Sequence, residues 1–170
     1  MKTALIGYTG FVGVNLKEQY NFTHLYNSKN FTNMIGQEYD LIVCSGVSAI
    51  KWKANKEPKK DLESIQALED VLFTVNVKQF VLISTIDVYA ETQILDEDFD
   101  CGSINNHAYG VHRLAFEKFC NDKFTNCTIV RLPGLFGEGL KKNVIYDLLN
   151  DNCLEMINVQ SSYQYYFLKY

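Results

Sequence analysis

The stretch Lys2–Leu16, KTALIGYTGFVGVNL, decides how the rest of the chain is read. An apolar run of Ala4, Leu5 and Ile6 breaks at Gly7. Gly10 and Gly13 follow at three-residue spacing, and Val12 and Leu16 then fall one helical turn apart. The pattern predicts strand, tight turn and helix. In that context Gly7 permits the sharp turn, Gly10 lets the backbone approach a pyrophosphate, and Gly13 allows close helix-to-strand packing. Thr9, Phe11 and Val12 stand where the amides and dipole of the helix N-terminus would face an anion. These residues are candidates for dinucleotide binding. The alternative is an ordinary strand-to-helix turn that happens to be rich in glycine.

Composition sets the frame for that choice. At 170 residues, 47% hydrophobic and 21% charged, the chain can bury one substantial core, and a single domain over 1–170 is predicted. A net charge of -4 and a pI near 5.4 give no basic footprint, so nucleic acid is not the predicted partner. The apolar runs fall short of the roughly 20 residues that span a bilayer, and the N-terminus enters a strand without a signal peptide; a cytoplasmic protein with no membrane association is predicted. Five cysteines, Cys44, Cys101, Cys120, Cys127 and Cys153, form no C-x-x-C pair and find no ligand cluster with His24, His107 and His112. They read as buried thiols, with no metal site and no disulfide framework.

Downstream, strand and helix alternate. His24–Tyr26 is a short strand whose end lies about twenty positions beyond the first glycine, where an acidic side chain would hold an adenosine ribose. The chain reads Asn27, Ser28, Lys29 there. With no carboxylate to bond a 2′-hydroxyl or repel a 2′-phosphate, NADP(H) is favoured over NAD(H), although any surface turn uses the same residues. Asp40–Ser45 is a buried central strand followed by the small residues Gly46, Ser48 and Ala49, which leave room at the carboxyl edge of a sheet; Ser45 and Gly46 join the cofactor candidates. Lys51–Lys60 is a basic loop whose Trp52 either lines a pocket or packs over the loop. Leu62, Ile65, Leu68, Leu72 and Val75 mark a helix from Asp61, widened by Ala67 and Val71. Gln79–Ser84 is a second buried strand that runs into the cluster Ser84, Thr85, Ile86, Asp87, Val88, Tyr89. The acids at 91–107 (Glu91, Asp96, Glu97, Asp98, Asp100) read as a solvated loop.

His107–Asp122 is helical, with Val111, Leu114, Ala115 and Phe119 on one side and Phe116 and Cys120 extending it; Tyr109 stands in the first turn and Arg113 one turn later. A strand at Thr128–Arg131, a turn through Pro133 and Gly134 and then Gly137 and Gly139, a helix at Asn143–Leu149 and an aromatic tail complete the chain. This alternation predicts an α/β fold, a Rossmann-like doubly wound parallel sheet with helices on both faces.

Five ordered segments, GYTGFVG at 7–13, DLIVCSG at 40–46, FVLISTIDVYA at 80–90, YGVHRLAFE at 109–117 and IVRLPGLFGEG at 129–139, resemble the extended short-chain dehydrogenase/reductase superfamily, in particular its NAD(P)-dependent epimerases, dehydratases and reductases of nucleotide sugars. The resemblance implies that Thr85 bonds the reacting substrate oxygen, that Tyr109 gives or takes a proton, and that Arg113 stands at the lysine position of Y-x-x-x-K; Ser84 and Pro133 fall with the cofactor residues. The chemistry has its own logic. Hydride transfer to a carbonyl creates an alkoxide that needs a proton, and a cation one helical turn away acidifies a phenol.

Three departures follow. Arginine keeps the charge of the lysine but not its compact ammonium, and the bland alternative is a helix-surface pair of Tyr109 and Arg113. Ile86 and Asp87 replace the Asp-Glu pair of the dehydratases, which disfavours dehydration. The chain keeps only the start, 133–170, of the substrate-binding region, so it is either a compact variant or part of a longer polypeptide. Asn143 and Gln164 are candidates for substrate contact, with plain turn or helix roles as the alternative. The predicted protein is an NAD(P)-dependent reductase or epimerase of a nucleotide sugar, a homodimer paired through helices 61–75 and 108–120; the rival reading is a non-catalytic NAD(P)-binding sensor.

Overall fold

Strand β1 (Thr3–Ile6) forms where the first apolar run predicts it, and all four residues are buried. It joins β2 (His24–Tyr26), β3 (Glu38–Cys44), β4 (Asn76–Thr85) and β5 (Cys127–Leu132) in a five-stranded sheet of order β2-β1-β3-β4-β5. The pairings β1/β2, β1/β3 and β3/β4 are parallel. The chain leaves β1 to one side for β2 and returns to the other side for β3, so the winding reverses at β1. Open α/β sheets hold ligands at such a reversal, beyond the carboxyl ends of the strands. Register places Ile6 beside Cys44 and Cys44 beside Leu82, which delivers Gly7, Ser45 and Ser84 to the same edge.

The computed structural model describes residues 1–90, 96, 98–103 and 105–168, divided into two compact units, Met1–Arg131 and Leu132–Tyr170. In the first unit α1 (Phe11–Gln19), α2 (Lys51–Lys56), α3 (Pro58–Phe73) and α4 (Ala108–Lys123) accompany the sheet. Alternate strand residues Ala4, Ile6, Ile42, Cys44, Phe80 and Leu82 share one core with Ile65, Leu68 and Leu72 of α3 and Phe116 and Cys120 of α4. The Phe80 ring stacks on Phe124 at 4.3 Å. Leu5 and Val43 alternate to the opposite face and are also buried, the two-sided burial of a parallel sheet.

Several expectations are corrected here. The segment expected as a loop at 51–60 is helical, and α3 begins at Pro58 rather than Asp61. Proline suits a first helical turn because its φ is preset and its missing N–H is not needed there. Trp52 sits on α2 and is 69% exposed. On α3, Leu62 and Ala67 are exposed while Asp61 is buried. On α4, Val111 is 47% exposed and Ala115 is exposed, whereas Arg113 and Glu117 face inward. The helix turns Arg113 and Glu117 to the interior because each meets a partner of opposite sign, the buried Asp61 and the half-buried Arg131. Of the thiols, Cys44, Cys101 and Cys120 are buried, Cys127 is half-buried and Cys153 is exposed; all are unpaired. Among the acids at 91–107, Asp96, Asp98 and Asp100 are exposed; Glu91 and Glu97 lie outside the described residues.

The second unit holds β6 (Gly134–Phe136), α5 (Val144–Leu149) and β7 (Tyr165–Phe167). β6 and β7 pair in parallel, a two-stranded sheet the sequence reading lacks. Phe136 stacks on Phe167 at 5.0 Å, which gives the aromatic tail its place. Among the described residues no helix is long and apolar enough to cross a membrane, and no group of three or more potential metal ligands assembles.

Candidate functional site

The glycine turn works by close packing at two positions and by openness at a third. Gly7 has φ +87°, and a Cβ there would lie 2.3 Å from the Ser45 carbonyl oxygen; a Cβ at Gly13 would lie 2.0 Å from that of Gly7. Only glycine lets β1, the end of β3 and α1 meet this closely. At Gly10 the same construction meets nothing nearer than the Gly7 carbonyl at 3.4 Å. Gly10 caps α1 without a side-chain bond, so space remains at the helix N-terminus, with Thr9 and Gly10 exposed and Phe11 and Val12 half-buried beside it. This arrangement fits a dinucleotide phosphate. Ser45 Oγ donates to the Ile6 carbonyl at 2.9 Å, tying the two strand ends, and Gly46 is exposed beside it. At the end of β2, Asn27 Oδ1 accepts the Lys29 N–H at 2.9 Å and its Nδ2 donates to the Tyr8 hydroxyl at 3.3 Å, leaving Ser28 and Lys29 exposed.

The second centre lies where β4 ends. Thr85 caps a short turn, Ile86–Val88, by accepting the Asp87 N–H at 3.1 Å, and its hydroxyl donates to Asp87 Oδ2 at 3.3 Å. Lys51 of α2 pairs with Asp87 at 2.6 Å. Helix α4 starts close by. His107 Nδ1 accepts from the Gly110 N–H at 3.0 Å, Asn55 accepts from the Tyr109 N–H at 2.9 Å, and a Cβ on Gly110 would lie 2.3 Å from the Asp87 carbonyl oxygen. That approach brings the Tyr109 phenol close enough to the Thr85 side chain for the latter to influence its titration.

Tyr109 and Arg113 are not a surface pair: they are 6% and 5% exposed. The Arg113 guanidinium grips Asp61 of α3 with both terminal nitrogens, Nη1 to Oδ2 and Nη2 to Oδ1, the latter at 2.9 Å, and Nη2 also donates to the Ser48 carbonyl at 2.6 Å. Its carbon lies 4.1 Å from the centre of the Tyr109 ring. His112 Nδ1 adds a 2.8 Å contact to Asp61 Oδ2. The buried Nε of Arg113 has no partner among the described residues. Burial pushes the Tyr109 phenol above its ordinary pKa; the Arg113 charge and the Thr85 hydrogen bond pull it down, Asp87 and Asp61 push it up, and the net direction is up. The expected acidification by Arg113 is thus outweighed, chiefly by burial of the phenol and further by the Asp87 and Asp61 charges. Burial also opposes the charge of Asp61, yet its hydrogen bonds from Arg113 and His112 hold it below the ordinary carboxylate value.

One turn along α4, Glu117 is 2% exposed. It accepts from Ser84 Oγ at 2.5 Å and pairs with Arg131 of β5 at 2.8 Å, and Arg131 Nη1 donates to the Tyr89 hydroxyl at 2.9 Å. Ser84 is therefore bonded into this network, and Thr85 alone faces Tyr109. Sequence reasoning missed Asp61, Glu117 and Arg131. A signal existed on α4: Tyr109, Arg113 and Glu117 recur every four residues and share a face.

In the second unit, Pro133 is half-buried between β5 and β6. Asn143 caps α5, accepting from the Tyr146 N–H at 3.1 Å and donating to the Leu135 carbonyl at 2.8 Å. Gln164 has an exposed side chain, and its carbonyl accepts from the Gly134 N–H at 3.0 Å. A hollow of about 400 Å³ opens among Phe136, Leu140, Tyr146 and Leu149.

Solved structures resemble the chain at low identity. A dTDP-4-dehydrorhamnose reductase from Clostridium acetobutylicum shares 20% identity with a TM-score of 0.70, over 88% of this chain and 59% of that one. A UDP-N-acetylglucosamine 4-epimerase from Bacillus cereus shares 20% identity with a TM-score of 0.71, over 99% of this chain and 70% of its own. MoeE5, solved with UDP-glucuronic acid and NAD, shares 14% with a TM-score of 0.76, over 99% and 68%. The chain thus spans about 59% to 70% of the length of these structures. No curated protein sequence matches it. The sequence profile of the NAD dependent epimerase/dehydratase family matches residues 21–157, most of both the sheet and the segment after β5. With that match added to the five-stranded sheet and its switch point, the chain belongs to the NAD-dependent epimerase/dehydratase family.

Proposed function

We propose that the protein is an NAD(P)-dependent reductase or epimerase of a nucleotide sugar, in which Tyr109 transfers the proton and Thr85 holds the reacting oxygen. The observation that carries this reading is the buried Tyr109 phenol beside the half-buried Thr85 where β4 ends, with Gly7–Gly13 at the carboxyl edge of the same sheet. A bound dihydronicotinamide supplies the hydride. Tyr109 then gives its proton to the alkoxide formed at the substrate carbon, while the Thr85 hydroxyl donates to the same oxygen. Burial raises the phenol above its ordinary pKa, and the protonated form is the one that reduction of a carbonyl consumes. Dehydration is disfavoured because Ile86 has no acid to offer.

The cradle at Gly10 fits the cofactor pyrophosphate. The turn Asn27–Lys29 carries no carboxylate, which favours NADP(H). In the second unit Gln164, exposed, is the stronger of the two substrate candidates, since Asn143 already caps its helix. Unpaired thiols support a reducing, cytoplasmic setting. Exposed Leu62, Phe73 and Val111 on α3 and α4 support a homodimer, which light scattering tests by a mass twice that of the chain; a monomer at high concentration contradicts it.

Nucleotide 4-keto sugars incubated with NADPH or NADH are predicted to be turned over, with a larger thermal shift from NADPH. The engagement of Arg113 by Asp61 favours one rival, a cofactor-binding sensor without turnover. A shift without turnover of any sugar selects the sensor; no shift with either dinucleotide rejects both readings.

A further inference from the structure

Asp61 has no part in the reaction as read above, yet it is buried on a helix different from that of Tyr109 and receives both terminal nitrogens of Arg113. The same guanidinium bonds the Ser48 carbonyl, in the segment that follows β3. One side chain thereby ties α3, α4 and the carboxyl edge of the sheet together, with its charged carbon 4.1 Å from the Tyr109 ring centre. A lysine at 113 has neither a fork for the carboxylate nor a plane for the ring. The fork also removes freedom from the ring's neighbour, since bidentate carboxylate bonds fix the guanidinium in two directions at once.

We propose that Asp61 is a positioning residue: it fixes Arg113 against the Tyr109 ring and so aims the phenol at Thr85. This rests on the reading of Tyr109 as the proton-transferring group. The arrangement makes the pair Asp61–Arg113 a functional unit, so that arginine at 113 and aspartate at 61 depend on each other. A pair that served only to hold α3 against α4 would give up stability when broken and leave kcat of the folded enzyme unchanged.

Two readouts separate these cases. In turnover, Asp61→Asn lowers kcat by about 10-fold to 100-fold with KM nearly unchanged, the scale expected for a misplaced reacting group. Arg113→Lys does the same, and the double variant is no worse than the poorer single one, because both break one unit. In the protein without substrate, the Tyr109 phenol is titrated by tyrosinate absorbance, each protein read against its Tyr109→Phe counterpart. The groups facing that ring are Arg113, Thr85 and His107, with the carboxylates Asp61 and Asp87 and, through these, His112 and Lys51. Asp61→Asn moves the midpoint down, since it removes one carboxylate and unmasks the Arg113 charge. Asp61→Glu keeps the carboxylate and moves it less, and it replaces Asp61→Asn in both assays if the latter unfolds. An unchanged midpoint, or additive losses of kcat in the double variant, overturns the proposal. If the wild type turns over no nucleotide sugar, the reading of the reaction fails while the titration still tests whether the Asp61–Arg113 pair is coupled to the phenol.

Discussion

Two arginine–carboxylate pairs lie one helical turn apart on the buried face of α4, and they differ in what they leave unused. Arg131 and Glu117 close a network in which Ser84 and Tyr89 are also bonded, so β4, β5 and α4 are joined. Arg113 and Asp61 instead leave the Arg113 Nε unpartnered and set the guanidinium over the ring of Tyr109. The same ion-pair chemistry serves fold closure in one place and faces the candidate proton donor in the other. A satisfied pair stabilises one arrangement of the chain; a pair that leaves a buried donor unbonded keeps part of its desolvation cost.

That contrast can be broken by substitution. Removing the Glu117 carboxylate strands the partly buried Arg131 charge, and Glu117→Ala is expected to cost about 3–5 kcal/mol in urea unfolding. A loss under about 1 kcal/mol would mean that the network is not the fold-closing pair. Gly13→Ala forces a Cβ onto the Gly7 carbonyl and is expected to destabilise by about 1–3 kcal/mol while weakening any thermal shift from NADPH; an unchanged shift would detach the turn from cofactor binding.

The Asp61 pair predicts a smaller, pH-dependent effect. Its folded-state pKa is lowered, so the stability it contributes is complete above the ordinary carboxylate value near 3.9 and is lost as pH falls through the lower folded value. The advantage of wild type over Asp61→Asn should therefore be constant at neutral pH and shrink only in strong acid; an advantage that shrinks between pH 5 and 7 would contradict the pairing. The smallest change expected is at Ser45→Ala, which removes the hydroxyl bond to the Ile6 carbonyl and should cost about 0.5–1.5 kcal/mol by thermal melting.

Much of the sheet was legible because its signals are local. Gly7 and Gly13 announce a turn through spacing, Leu41–Cys44 and Phe80–Ile83 announce buried parallel strands through unbroken apolar runs, and Thr85 and Tyr109 sit at an end and a start that those elements fix. The remainder depends on partners distant in sequence. The phase of α4 was misjudged because Arg113 and Glu117 are driven inward by Asp61 and Arg131, and no periodicity of apolar residues reports that. Asp61 was hidden inside an apolar stripe for the same reason. β7 is paired with β6 across the whole of the second unit, and Tyr165–Phe167 carries no strand signature beyond its aromatics. KWKANK, rich in lysine, reads as a solvated loop, and only the burial of Ala54 sets it apart from one.

The central claim is that Tyr109 transfers the proton, and the rate of conversion of a nucleotide 4-keto sugar by Tyr109→Phe against wild type, both with saturating NADPH, tests it most directly. Loss of the hydroxyl with the ring retained should reduce kcat by about 10²–10⁴-fold at unchanged thermal stability. Turnover retained at the wild-type rate would contradict the account.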